Sequence, residues 1–307
     1  MWNELKQLVE DETGGQPTGG KRFVRSSLRS LAQRFSKAGR TTIGRLLRVL
    51  GYSPRVNVKR YTGPPHPDRD RQFRYIRRQR RQFQKANCPA VSIDTKKKEL
   101  IGNFKNGGRK WSRQAEEVLA HDFPQDAQCR AVPYGIYDSA RNEGHVCVGT
   151  SAETGKFCVD ALRHWWRTKG RRRYPKAKRI FIEADAGGGN GYRRRLWKRE
   201  LQRWANESGL EITVSHYPTG ASKWNPVEHR LFAPISINWG GQPLRSLDLM
   251  LGYIRGTTTA TGLRVTAHLN RKRYPTKVLV SDDEMKTMNL RRHKTCPDWN
   301  YTISPQR

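Results

Sequence analysis

Acidic side chains are scarce in this chain: 27 Asp and Glu stand against 60 Lys and Arg, a formal net charge of +33. Solubility asks for far less, so the imbalance implies a polyanionic partner. Nucleic acid fits best, because each Lys or Arg that meets a phosphate releases condensed counterions. A ribosomal or merely basic protein is the plain alternative, and membrane-surface binding is disfavoured because no amphipathic anchor is evident. Cysteine supplies no scaffold either. Cys88, Cys129, Cys147, Cys158 and Cys296 are odd in number, widely spaced and without a C-x-x-C pair. They read as reduced, mostly buried thiols of a cytosolic protein, and their spacing gives no support to a zinc site. No apolar run approaches the roughly 18 residues of a membrane span, and the N-terminus lacks the apolar stretch of a secretory signal. The expectation is a protein with no membrane segment that stays inside the cell.

What is present is 307 residues with 35% hydrophobic content, enough for one catalytic domain and a small accessory module. Residues 1–20 read as a short amphipathic helix and a flexible link, GGQPTGGK. Charge then changes abruptly: between Lys21 and Lys85 there are 20 Lys and Arg against only Asp68 and Asp70. Within residues 21–62, Leu28, Leu31, Ala32 and Phe35 repeat at helical spacing, and so do Ile43, Leu46, Leu47 and Leu50. Between them SKAGR supplies a turn in which Gly39 is able to take positive φ, and Thr41 or Thr42 is available to cap the second helix. This is a helix-turn-helix pattern, and its second helix would carry Thr42, Arg45 and Arg48 toward a major groove of double-stranded DNA. The alternative is two basic helices packed on something else. Residues 63–88 read as a connecting helix with Phe73, Ile76 and Phe83 on one side and arginines elsewhere.

From Pro89 the period changes. Ala90–Asp94 is a short apolar strand ending in an acid, and Glu99–Phe104 is a second extended piece. After a polar stretch, Val132–Tyr137 and His145–Gly149 read as a hairpin. Thr154–Lys169 is a helix, Lys178–Asp185 a strand that again ends in an acid, and Tyr192–Ser208 a helix stopped by Gly209. Glu211–His216 is a further strand. This order suits an α/β fold with a mixed sheet flanked by helices, the ribonuclease H-like arrangement, over residues 89–240. Residues 241–307 read as a helical extension, with a helix over Leu244–Ile254, a loop at TTTATGL and a capping-box signal at Ser281 and Glu284. Trp299 and Tyr301 are expected to pack there rather than to touch DNA.

Two strands ending in Asp94 and Asp185 bring their carboxylates together if the strands are neighbours. A third acid comes from PTGASKWNPVEHRLF, where Asn225 sits at an N-cap, Pro226 at the first helical position and Glu228 in the first turn. Hard cations such as Mg²⁺ take oxygen ligands and keep several waters, so a few carboxylates leave room for a phosphate. Two such ions about 3.5–4 Å apart activate the attacking oxygen and stabilise the leaving oxygen of an in-line displacement. Taken singly each acid has a plainer reading: Glu228 as a helix N-terminal acid, Asp185 as the anchor of its glycine turn. The run GGGNG invites a dinucleotide reading, but G-x-G-x-x-G is absent and no βαβ unit opens the order.

The blocks VSIDTKKKELIGNFKNGG, IEADAGGGNG and HYPTGASKWNPVEHRLF resemble the catalytic blocks of the Rhodopirellula-type DDE transposases of bacterial insertion sequences. The likeness runs in order from the helix-turn-helix to WNYTI, and W-N-P-x-E is similar to the N-P-x-E around the last acid of the mariner superfamily. The resemblance implies a ribonuclease H-like core with Asp94, Asp185 and Glu228 as the triad on two divalent ions, Mg²⁺ or Mn²⁺. Asp94 would bridge the ions and the other acids would each hold one. It also implies hydrolysis that frees a 3′-hydroxyl at the element end, attack of that hydroxyl on target DNA, and a dimer or larger homo-oligomer on the terminal repeats in the bacterial cytoplasm, at the nucleoid. Lys96, Lys223, Asn225 and His229 flank the acids as candidate contacts to scissile phosphates. Relatives usually carry a longer N-terminal DNA-binding region, so a shortened copy is one expectation. Two other readings stand beside the active transposase: a truncated or domesticated DNA-binding protein that regulates transposition without catalysis, and a ribonuclease H-like nuclease that only hydrolyses.

Overall fold

A computed structural model of the chain describes residues 2–11, 13–14, 23–24, 26–55 and 66–306, in two units spanning 1–62 and 63–307. The first unit holds helices α1 (Trp2–Asp11), α2 (Leu28–Phe35) and α3 (Arg40–Val49), with a two-stranded antiparallel pair of β1 (Thr13–Gly14) and β2 (Phe23–Val24). One face of each helix feeds a single small core of Leu5, Val9, Leu31, Phe35, Ile43 and Leu47. Helix α1 therefore belongs to this core instead of standing apart from it. The link expected at 15–20 and the boundary at 62 lie outside the described residues.

The turn between α2 and α3 differs in detail from its sequence reading. Ser36, not Gly39, takes the left-handed conformation, at φ 50°. Gly39 is the extended N-cap of α3, so neither Thr41 nor Thr42 caps it. Ser27 caps α2, its hydroxyl accepting from the Ser30 amide at 3.1 Å.

The second unit opens with α4 (Arg69–Lys85) and continues through β3 (Ala90–Thr95), β4 (Glu99–Ile101), β5 (Cys129–Asp138), β6 (Glu143–Gly149), α5 (Gly155–Trp165), a π-helical turn Trp166–Gly170, α6 (Arg171–Arg173) and β7 (Arg179–Ala184). After these come α7 (Arg195–Ser208), β8 (Glu211–His216), a second π-helical turn Glu228–Phe232, α8 (Ala233–Asn238) and α9 (Leu247–Arg255). The chain closes with β9 (Arg264–Asn270), α10 (Asp282–Lys286), β10 (Leu290–Arg292) and β11 (Asn300–Ile303).

Eight strands run β10-β11-β8-β7-β3-β5-β6-β9, and β4 pairs off this path with β5. The central five are ribonuclease H-like: β3, β5 and β6 pair antiparallel, while β3, β7 and β8 pair parallel. Parallel neighbours need crossovers, and α5 and α7 supply them, packing on one face against Val91, Ile93, Ile180, Ile182 and Val214. On the other face α4 covers β3 and β7 through Ile76 and Phe83. There too the 228–238 segment and α9 cover β5, β6 and β9 through Leu231, Phe232, Met250 and Ile254.

The reading of 241–307 as helical is corrected by three strands. Val265, Ala267 and Leu269 of β9 face the core, but Arg264, Thr266, His268 and Asn270 alternate with them, so only half the strand carries an apolar signal. Strands β10 and β11 are short, and pairing with β8 rather than propensity makes them strands. The capping box at Ser281 and Glu284 is formed. No helix among the described residues is long and apolar enough to cross a membrane.

Candidate active site

Strand register brings the first two acids together. Strands β3 and β7 run parallel with Ile93 opposite Ala184, so the next residues, Asp94 and Asp185, leave adjacent strands at the same level. Alternation puts Asp94 on the face of Ser92 and Asp185 on the face of Glu183, the face that α4 covers. Each carboxylate is fixed by the amide that follows it: Thr95 N donates to Asp94 Oδ1 at 2.7 Å, and Ala186 N to Asp185 Oδ1 at 2.6 Å.

The third acid arrives on the segment that crosses this face. Val227 N donates to Ser92 Oγ at 3.0 Å, Ser92 Oγ donates to Asn225 Oδ1, and Asn225 Nδ2 donates to the Ile93 carbonyl at 2.9 Å. Three bonds thus tie the start of the Glu228 turn to the strand that carries Asp94. Gly135, opposite Asp94 in β5, makes the approach possible, since a Cβ there would lie 2.6 Å from the Phe232 ring and 3.0 Å from Val227. The turn itself is π-helical from Glu228 to Phe232, an irregularity frequent at functional sites.

Charge gathers accordingly. The Asp94 carboxyl is pushed up to about 8, first by burial, then by the Asp185 carboxylate, with Glu228 acting in the same direction through its charge and a shared hydrogen bond. Burial also raises Asp185. The other buried acids are compensated: Glu183 by Arg80 and the Tyr217 hydroxyl at 2.7 Å, Asp138 by the Tyr174 hydroxyl at 2.6 Å, and Glu200 by Arg203 at 2.9 Å. No Lys or Arg among the described residues forms an ion pair with Asp94, Asp185 or Glu228. In a chain of net charge +33 that omission leaves a pocket of negative charge for a cation to neutralise. The donor set, oxygen only and half-buried, fits hard divalent ions. The three carboxyls do not all come within 4.8 Å of one another.

Beyond the acids, a buried chain of bonds supports Asp185 from behind. Trp197 Nε1 donates to Tyr301 Oη at 2.8 Å, the Tyr301 hydroxyl donates to His216 Nε2 at 3.0 Å, and His216 Nδ1 donates to the Asp185 carbonyl at 2.9 Å. Burial holds His216 down to about 4, which keeps it in the neutral form this chain requires. Tyr301 and Trp299 are both buried, as packing residues. The glycine turn after Asp185 has its own steric reason: Gly188 takes φ +68°, and a Cβ on Gly189 would meet the Thr154 carbonyl at 3.0 Å.

The flanking candidates separate. Asn225 is fully buried and its amide is committed to β3, so it holds the turn in place and is not a surface for DNA. Nor did it turn out to be a side-chain cap; Ser92 meets the Val227 amide instead. Lys96 is 12% exposed, ion-paired with Glu99 at 2.6 Å and set over the Trp239 ring at 4.7 Å. Lys223 and His229 are exposed beside Glu228, where His229 Nε2 bonds the Lys223 carbonyl. In the N-terminal unit Arg45 and Arg48 are exposed and Thr42 half-buried on α3. Sequence reasoning missed Ser92, Gly135 and the Tyr301–His216 support. The first had a signal, a polar residue two before Asp94 on the same strand face; the others depend on contacts remote in sequence.

A family model described as the Rhodopirellula transposase DDE domain matches residues 4–305. Among solved structures, the Mos1 transposase paired-end complex with the left transposon end is similar at 14% identity and a TM-score of 0.46, over 83% of this chain and 69% of that one. The Mos1 mariner paired end complex with Mn is similar at 12% identity and 0.44, over 83% and 70%, and that with Mg at 11% and 0.44, over 83% and 69%. Likenesses of this degree bear on no residue of the site. No curated protein matches.

Proposed function

Because the chain belongs to the Rhodopirellula transposase DDE domain family, we propose that it cuts phosphodiester bonds at insertion-sequence ends and joins the freed 3′-hydroxyl to target DNA, with Asp94, Asp185 and Glu228 as its catalytic acids. One observation carries this reading: three carboxyls converge from β3, β7 and the Glu228 turn with no Lys or Arg ion partner among the described residues, in a protein crowded with cations. Asp94, central to the cluster, would serve both of two Mg²⁺ or Mn²⁺ ions, and Asp185 and Glu228 one each. Bound there, such ions supply Lewis-acid charge that activates the attacking oxygen and stabilises the leaving oxygen of an in-line displacement.

The chain's own residues do the positioning. The Thr95 and Ala186 amides orient two carboxylates, and Ser92 and Asn225 hold the third at the right strand. Lys223 and His229, exposed next to Glu228, would meet phosphate oxygens, and Arg45 and Arg48, exposed on α3, would offer cations to a DNA backbone or groove. Handling two element ends at once asks for a dimer or larger assembly on the DNA.

Purified protein incubated with end-labelled terminal repeats, target plasmid and Mg²⁺ or Mn²⁺ should give nicked ends and joined products. Asp94→Asn, Asp185→Asn and Glu228→Gln should each abolish both while still shifting the DNA in a gel. Cutting at normal rate by any of the three would overturn the site. Binding without cutting under either metal would favour a regulator of transposition, and cutting without joining a nuclease.

A further inference from the structure

Remote from the acids in sequence, three histidines gather at the outer edge of the sheet. His145 lies on β6, His268 on β9 and His164 in the last turn of α5. Among the described residues they are the one group of three His, Cys, Asp or Glu whose ligand atoms all lie within 4.8 Å of one another. His145 Nδ1 is engaged with Thr266 Oγ1 at 2.9 Å, which leaves Nε2 directed at His268 Nδ1, 3.1 Å away. As they stand these two nitrogens share a hydrogen bond, and their separation is somewhat shorter than the roughly 3.3–3.4 Å of two nitrogens on one tetrahedral ion at about 2.0–2.1 Å. The Thr266 contact is the outer hydrogen bond that fixes the tautomer of a ligating imidazole.

We propose that His145, His164 and His268 form a site for a borderline transition-metal ion of the Zn²⁺ class, separate from the acidic pocket. The ion would join β9, the edge strand of the sheet, to β6 and α5. An imidazole binds such an ion through the lone pair of its neutral form, and Thr266 already engages the other nitrogen of His145. The donors also select the ion, since three neutral nitrogens suit Zn²⁺, Co²⁺, Ni²⁺ or Cu²⁺ and disfavour the oxygen-seeking Mg²⁺ and Mn²⁺. Arg163, Arg167, Arg271 and Lys272 line the adjoining cleft. They oppose a cation held by charge alone and attract an anion into a remaining coordination position.

Ligation requires one movement. The His164 and His268 rings stack with centroids 3.6 Å apart and planes 11° from parallel, so no ion can lie in both ring planes as they stand. His164 is half-buried, and a turn of its ring off the stack completes the site.

The test uses the full chain carrying Asp94→Asn and Glu228→Gln, so that the acidic pocket does not contribute, stripped with a chelator and titrated with Co²⁺. The expected result is one equivalent of Co²⁺ with the strong visible absorption of a tetrahedral site, displaced by Zn²⁺, and a Zn²⁺-dependent rise in Tm. Adding His164→Ala or His268→Gln should remove both signals. His164 is half-exposed, so its variant is expected to keep the circular dichroism of the parent and decides the matter even if the His268 variant misfolds. No visible band and no rise in Tm would overturn the proposal, as would signals that persist undiminished in the folded His164→Ala protein. In either of those cases the three rings are a neutral packed stack and nothing more.

Discussion

Asp94 bears the highest electrostatic cost of the candidate site, because burial and two neighbouring carboxyls all oppose its ionised form. An acid whose folded pKa exceeds its unfolded value costs nothing below the unfolded value. It costs progressively more as pH rises toward the folded one, since the unfolded chain then ionises first. The window here runs from the ordinary carboxyl range near 4 up to about 8. Asp94→Asn keeps the acceptor for the Thr95 amide and removes the charge. In metal-free buffer it should melt higher than wild type at pH 8, with the difference shrinking toward pH 4. Even one pKa unit, about 1.4 kcal/mol, moves Tm by roughly 2–3 °C in a chain of this size. Equal melting at pH 8, read by scanning calorimetry, would count against the charge cluster. Tyr301→Phe tests the support behind Asp185. It strips the donor from His216 Nε2 and the acceptor from Trp197 Nε1, leaving two buried nitrogens unpaired at about 1–3 kcal/mol each. A lower Tm and a cleavage rate down by about 10–100-fold, with DNA affinity unchanged, is the expected result.

At the level of elements, the sequence was most readable where one period ran without interruption. The strand ending at Asp94, the strand from Glu211 to His216, the hairpin and the helix stripe of Trp197, Leu201, Trp204 and Ala205 stand where their patterns put them. Two acids at strand ends were legible because a strand has one direction and one level of exit, so register alone makes them meet. The approach of Glu228 was not, since it depends on Gly135, a residue with no chemistry of its own whose meaning is the space it leaves for Phe232. Nor were the last three strands, whose apolar halves are thin and whose partners are distant. Gly135→Val should therefore act on the turn more than on the sheet, because overpacking of this kind costs about 1–3 kcal/mol. Loss of metal-dependent cleavage with only a modest fall in Tm is expected. A further Phe232→Ala substitution, which opens the space again, should restore part of the activity, and no restoration would show that the steric account of Gly135 is wrong.

For the whole molecule, the DNA binding proposed here should be strongly salt-dependent at a net charge of +33, and the arrangement of residues should apportion it. Each phosphate contact contributes a slope of about −0.9 to log K against log salt on duplex DNA. Arg45→Ala with Arg48→Ala should shrink that slope by roughly 2 if both meet phosphates, measured by fluorescence anisotropy across a salt series. An unchanged slope would remove α3 from the contact. Against this cationic background the acids matter more than their number suggests, because three carboxyls without a Lys or Arg ion partner among the described residues repel one another until a proton or a cation relieves them. Mn²⁺ titration of the metal-free protein, followed by electron paramagnetic resonance, measures relief by a cation directly. Wild type should take up Mn²⁺ saturably, Asp94→Asn should lose that uptake, and Asp138→Asn, at a buried acid outside the cluster, should keep it. Uptake by Asp94→Asn equal to that of wild type would contradict the account.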